Sequence, residues 1–85
     1  MHRTTDQFWQ RYHALPEEVR ERADKAFALL RSNPQHPSLQ FKKVGVLWSA
    51  RVDLAHRALA VGDGDDFVWV WIGSHDEYDR ILKGG

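Results

Sequence analysis

Two periods run along the chain, and they change over near its middle. In the first 32 residues apolar side chains recur every three or four positions: Phe8, Trp9, Tyr12 and Leu15, then Val19, Ala23, Ala26, Phe27 and Leu30. That spacing lines one face of an α-helix. Thr4-Thr5-Asp6-Gln7 has the form of a capping box, Thr followed three residues later by Gln, which satisfies two free amide donors at a helix start. Pro16 with Glu17 and Glu18 opens a second helix, because proline suits the first turn and acids favour the positive end of the helix dipole. Asn33-Pro34 ends it. The pattern predicts a helical hairpin of residues 5–15 and 16–32.

From residue 39 the period is two. Runs at 39–44, 47–53, 57–61 and 67–72 read as strands, joined by Gly45, by Leu54-Ala55-His56 and by Gly62-Asp63-Gly64-Asp65-Asp66. These connections are too short for parallel crossovers, so the strands should form a four-stranded antiparallel meander. The last run, Phe67 to Ile72, is apolar on both parities, as suits a central strand covered on both faces. The expected fold is α+β: the helical hairpin packed on the sheet, with a short C-terminal helical turn, in a single domain over residues 1–85.

At 85 residues with 42% hydrophobic content and four tryptophans, one core is affordable, although a domain this small buries only about 60% of its unfolded surface. With no cysteine there is no disulfide framework and no thiolate metal site. The start, Met1 to Gln7, is polar, and no run approaches the ~20 apolar residues of a membrane span, so a cytoplasmic protein without membrane contact is expected. Twelve Lys and Arg balance twelve Asp and Glu, which argues against gripping long nucleic acid by bulk electrostatics. The sum hides a pattern. Acids gather at Asp63, Asp65 and Asp66 and at Asp76, Glu77 and Asp79, while Lys42, Lys43, Arg51 and Arg57 lie in the strands and allow a local basic face.

The acidic turn at 62–66 resembles the start of a calcium loop but lacks the glutamate at the twelfth loop position and flanking helices, so it reads as a solvated hairpin turn. The five histidines show no paired short spacing, and no glycine-rich phosphate cradle is present; neither metal nor cofactor is expected. Arg51 and Arg57 are either solvent-facing and paired with an acid such as Asp53, or a fork for phosphate oxygens. Register separates the two readings. A three-residue loop, Leu54 to His56, pairs Asp53 with Arg57 and puts both arginines on one face; a two-residue turn puts them on opposite faces. His75 and Tyr78 lie three apart and become neighbours if the chain turns helical after Ser74, with Ser74 or Asp76 as the cap. An imidazole titrating near 6.5 is a natural proton shuttle.

Taken in order, "HPSLQFKKV" from His36, "WSARV" from Trp48, "HRALAV" from His56 and "VWVWIGSHDEYDRIL" from Val68 resemble the RelE/ParE superfamily of toxins from bacterial type II toxin–antitoxin systems. The resemblance spans nearly the whole chain. It implies a small α+β domain whose helices cover one face of a curved sheet and whose other face holds the site. The RNA-cleaving branch consists of metal-independent mRNA endoribonucleases acting in the ribosomal decoding site by 2′-hydroxyl attack on the adjacent phosphate. On that likeness Arg51, Arg57, His75 and Tyr78 are the implied catalytic residues, and Lys42 and Lys43 the implied RNA-backbone contacts. Ser49 stands where some active relatives have a lysine. The implied partners are a cognate antitoxin protein, the ribosome and mRNA. A second branch inhibits DNA gyrase without nuclease chemistry, and a degenerate member would only bind protein.

Overall fold

The computed structural model describes residues 1–84. Strand β1 (His2–Thr4) leads into helices α1 (Asp6–His13) and α2 (Glu17–Ser32), followed by a single 3₁₀ turn at Pro37–Leu39. Strands β2 (Lys42–Val44), β3 (Leu47–Asp53), β4 (His56–Asp63) and β5 (Asp66–Ser74) then precede helix α3 (His75–Gly84). The sheet order is β1-β5-β4-β3-β2. β2 to β5 form the expected antiparallel meander, but the sheet has five strands and is mixed, because β1 adds to β5 in parallel. The expectation of four antiparallel strands is corrected here. So is the short C-terminal turn, which is a ten-residue helix.

Each helix forms for a local reason. Thr5, rather than Thr4, caps α1: its hydroxyl accepts from the Phe8 amide at 3.1 Å and donates to the Trp69 carbonyl at 3.1 Å. Thr4 belongs to β1 and accepts from the Trp9 indole at 2.8 Å. Pro16 stands just before α2, with Glu17 and Glu18 in the first turn. The helices do not clasp each other as a hairpin. α1 lies mainly on β5 and α2 on β3, with the Tyr12 hydroxyl bridging to Asp24 at 2.6 Å.

Strand parity builds two layers. Ala50, Ala58, Ala60, Trp69 and Ile72 face α1 and α2 and join Phe8, Ala23, Leu30 and Leu39 in the main core. On the other face Leu59 and Trp71 pack with Tyr78 of α3. Trp69 and Trp71 reach opposite layers, despite sharing parity, because Leu59 pairs with Trp71 while Ala60 pairs with Trp69, leaving Val70 as a bulge. Both layers draw on this strand, which accords with its unbroken apolar run from Phe67 to Ile72.

β1 is held by side chains with no hydrophobic period. His2 stacks on Phe67 and Trp69, meets Phe27 and Phe41 edge-on, and accepts the Trp69 indole N–H on Nδ1 at 3.0 Å. The acidic turn completes the attachment: Asp63 receives Arg3 at 2.7 Å, and Asp66 meets Arg3 at 3.4 Å and the N-terminal ammonium at 3.3 Å.

Burial, then the N-terminal charge and Arg31, lower the His2 pKa below its usual 6.5. A depressed folded pKa means the unfolded chain binds the proton more readily, so this stability is fully present above about 6.5 and is lost as pH falls through the lower folded value. Melting curves between pH 7.5 and 5 should show a decline in wild type that His2→Phe flattens. At Gly73 a Cβ would stand 2.6 Å from Cζ2 of the buried Trp71 indole. Gly73→Ala should therefore destabilise by about 1–3 kcal/mol, read from the denaturant midpoint at unchanged slope.

Candidate anion-binding site

Opposite α1 and α2 the sheet carries a cavity of about 190 Å³ lined by Gln40, Lys42, Ser49, Arg51, Arg57, His75 and Tyr78. Three strands and a helix start supply it. Lys42 pairs with Ser49 across β2 and β3, and Arg51 pairs directly with Arg57 across β3 and β4. Cross-strand partners share a face, so the two arginine side chains leave the sheet on the same side and both line the cavity.

The route to that pairing differs from both registers expected from the sequence. Asp53 pairs with His56, so the connection is the two-residue turn Leu54-Ala55. By itself that turn would set the arginines out of phase. A bulge between Arg51 and Asp53 restores the phase by taking Val52 out of the ladder. Neither turn residue has positive φ, so this is not the mirror-image turn that matches strand twist, and the bulge absorbs the mismatch.

Asp53 does not neutralise the arginines. Its carboxylate lies 3.0 Å from Nδ1 of His56, accepts from the Ala55 amide at 2.8 Å, and accepts from Arg22 at 3.2 Å. Burial opposes ionisation of Asp53, but the bonds from His56, Ala55 and Arg22 and the His56 charge outweigh it and hold the carboxyl below its ordinary value. Arg57 instead donates through Nη1 to the Asp53 and His56 carbonyls, at 2.6 and 2.9 Å. Neutral carbonyls fix the guanidinium and leave its charge uncompensated. Among the described residues no carboxylate lies within salt-bridge distance of Arg51 or Arg57, and none lines the cavity.

Ser74 is the cap of α3: its hydroxyl accepts from the Glu77 amide at 3.2 Å and donates to the Glu77 carboxylate at 3.2 Å. The helix starts at once, so His75 and Tyr78 share a face with ring centroids 5.8 Å apart. His75 is 41% exposed, with Nδ1 3.4 Å from Asp79, whereas Tyr78 is buried against Leu59 and Trp71. Five of the six residues singled out in the sequence thus meet at one cavity. The sixth, Lys43, pairs with Trp48 on the alternate parity and lies outside it.

Gln40 and Ser49 line the cavity without having been singled out as site residues. Ser49 is 2% exposed, a polar position inside a strand on the parity of Arg51, and that parity was its signal. Gln40 follows the 3₁₀ turn with φ of 45°, a left-handed conformation that nothing in its residue type announces. A separate cavity of about 70 Å³ between α1 and α2 is apolar, bounded by side chains such as Phe8, Phe27 and Leu30. Among the described residues no three His, Asp or Glu side chains converge as metal ligands.

A family model described as the ParE-like toxin domain matches residues 17–80, which include strands β2 to β5, the cation pair and every residue lining the cavity. The chain belongs to the ParE-like toxin family. Its fold is that of RelE-type toxins. YafQ from E. coli superposes with a TM-score of 0.72 at 10% identity, covering 92% of this chain and 96% of that one. The RelB-RelE antitoxin-toxin complex from Methanococcus jannaschii gives 0.70 at 17% identity, with the same coverage. The RelBE2 toxin-antitoxin complex from Mycobacterium tuberculosis gives 0.65 at 20% identity, covering 88% of this chain and 96% of that one. No curated protein sequence matches the chain significantly.

Two like charges directly opposite on a sheet oppose folding. Arg51→Ala should therefore raise stability by about 0.2–1 kcal/mol at low salt while weakening binding of a phosphodiester. The gain should shrink in 1 M salt, where the Debye length is about 3 Å. Paired melts at the two salt concentrations check it.

Proposed function

We propose that this protein is the toxin of a type II toxin–antitoxin module and cleaves mRNA on the ribosome by 2′-hydroxyl attack on the adjacent phosphate. The observation that carries the reading is the uncompensated Arg51–Arg57 pair with His75 and Tyr78 at the same cavity. In such a reaction negative charge grows on the phosphorane oxygens, and preformed cationic donors stabilise it where it grows. Arg51 and Arg57 do this, Arg57 with its orientation already fixed by two carbonyls. His75, half exposed at the cavity, is the acid–base group, passing the proton of the attacking 2′-hydroxyl to the 5′-oxygen that leaves as the P–O5′ bond breaks and a 2′,3′-cyclic phosphate forms, and Tyr78 orients it from the next helical turn. Lys42 binds a neighbouring phosphate. Lys43, on the other parity, contacts RNA only outside the cavity.

A neutral chain suits a substrate positioned by the ribosome rather than captured by bulk charge. The partner is a cognate antitoxin, as in the solved complexes of the Methanococcus jannaschii and Mycobacterium tuberculosis proteins. The site of action is the cytoplasm. No helix among the described residues is long and apolar enough to cross a membrane.

Single-turnover cleavage on programmed ribosomes tests the roles. Arg57→Ala should cost roughly 100- to 1,000-fold in rate and His75→Ala roughly 100- to 10,000-fold, with ribosome affinity and melting temperature recorded for each. Wild-type rates in both folded variants would sink the assignment. Loss of DNA supercoiling with no new RNA ends would point instead to gyrase as the target.

A further inference from the structure

Three carbonyls of the β3–β4 turn each hold a group that the cavity uses. The Asp53 and His56 carbonyls accept from Arg57, and the Ala55 carbonyl accepts from the His75 amide at 2.7 Å. The turn itself is held from the side away from the cavity. Asp53, whose side chain is 17% exposed, ties the Ala55 amide, His56 and, from α2, Arg22. Leu54 at the turn's tip is 82% exposed, so no apolar packing there does the same work.

We propose that Asp53 is the positioning residue of the cavity: by fixing the turn it orients the Arg57 guanidinium and sets the start of α3 at His75. Asp53 touches no substrate. Its carboxylate is paired with Arg22 and hydrogen-bonded by His56 and Ala55, and it makes no contact with Arg57, so it orients a cation without cancelling it. A carboxylate bonded directly to Arg57 would orient it equally well and remove the charge a phosphate needs. The arrangement also links α2, on the opposite face of the sheet, to the site through one carboxylate. The rate consequences rest on the ribonuclease reading; the structural ones do not.

The test compares Asp53→Ala with Asp53→Asn, whose amide oxygen can still accept from Ala55. On programmed ribosomes Asp53→Ala should slow single-turnover cleavage about 10- to 100-fold, the scale of a small misplacement of reacting groups, with ribosome affinity unchanged. Asp53→Asn should recover most of the rate. In an Arg57→Ala background Asp53→Ala should cost less than it does alone, because the share of its effect that runs through Arg57 is already lost and only the share through His75 remains. Full additivity overturns the proposal.

Amide hydrogen exchange on the free protein gives a readout independent of nuclease activity. In Asp53→Ala the His75 amide should exchange more than about tenfold faster relative to the β4–β5 amides. Unchanged relative protection overturns the proposal whatever the rates show. A wild-type protein that cuts no RNA defeats the ribonuclease reading alone, and the exchange result then still decides the role of Asp53. If Asp53→Ala does not stay folded, Arg22→Ala, which withdraws one bond from the carboxylate, is judged by the same criteria at smaller amplitude.

Discussion

Two arginines are direct partners across a pair of antiparallel strands, and much of the surrounding structure exists to make that tolerable. Directly opposed like charges destabilise a sheet. Here they persist because the strands are committed by what lies behind them. Ala50 and Ala58, the pair next to Arg51 and Arg57, are buried beneath the helices, where their small side chains keep the main core close to the sheet. Register cannot slip without moving that whole face into water. The core on one side therefore enforces the charge pair on the other.

The second layer is thinner and more specialised. Leu59, Trp71 and Tyr78 form a small apolar floor, with Gly73 leaving room for the indole. Tyr78 is both floor and wall: its ring is buried among apolar side chains and its helix carries His75 along the edge. α3 is thus anchored by Tyr78 and Leu82 on the apolar floor, by the Ser74 cap and by the bond from the His75 amide to the Ala55 carbonyl, which together place a half-exposed histidine over a cationic surface.

Much of this was legible in the sequence. Helical and alternating periods located α1, α2 and the β2–β5 meander; parity and helical spacing raised the Arg51–Arg57 and His75–Tyr78 pairs, and the resemblance to the RelE/ParE toxins was what joined these four with Lys42 at one site. What escaped is physically of one kind. β1 is three residues long, and its anchor, His2, is neither apolar nor periodic; only its fit among Phe27, Phe41, Phe67 and Trp69 makes it structural. The bulges at Val52 and Val70 leave no mark in composition, because valine suits a regular strand equally well. Counting residues around the Leu54-Ala55 turn gave the arginines the right face only by assuming a longer loop than the one present.

Every residue lining the cationic cavity lies between Gln40 and Tyr78, whereas β1 must find β5 across more than sixty residues, as the Thr5 to Trp69 bond does. Chain-closure entropy separates these two tasks. Consecutive hairpins assemble the cavity from near neighbours in the chain, and the distant docking of β1 closes the far edge of the sheet without supplying a wall. The chemistry is encoded as one uninterrupted segment, portable in principle to another sheet of the same curvature, while the N-terminal third acts as the clamp that keeps that segment in shape.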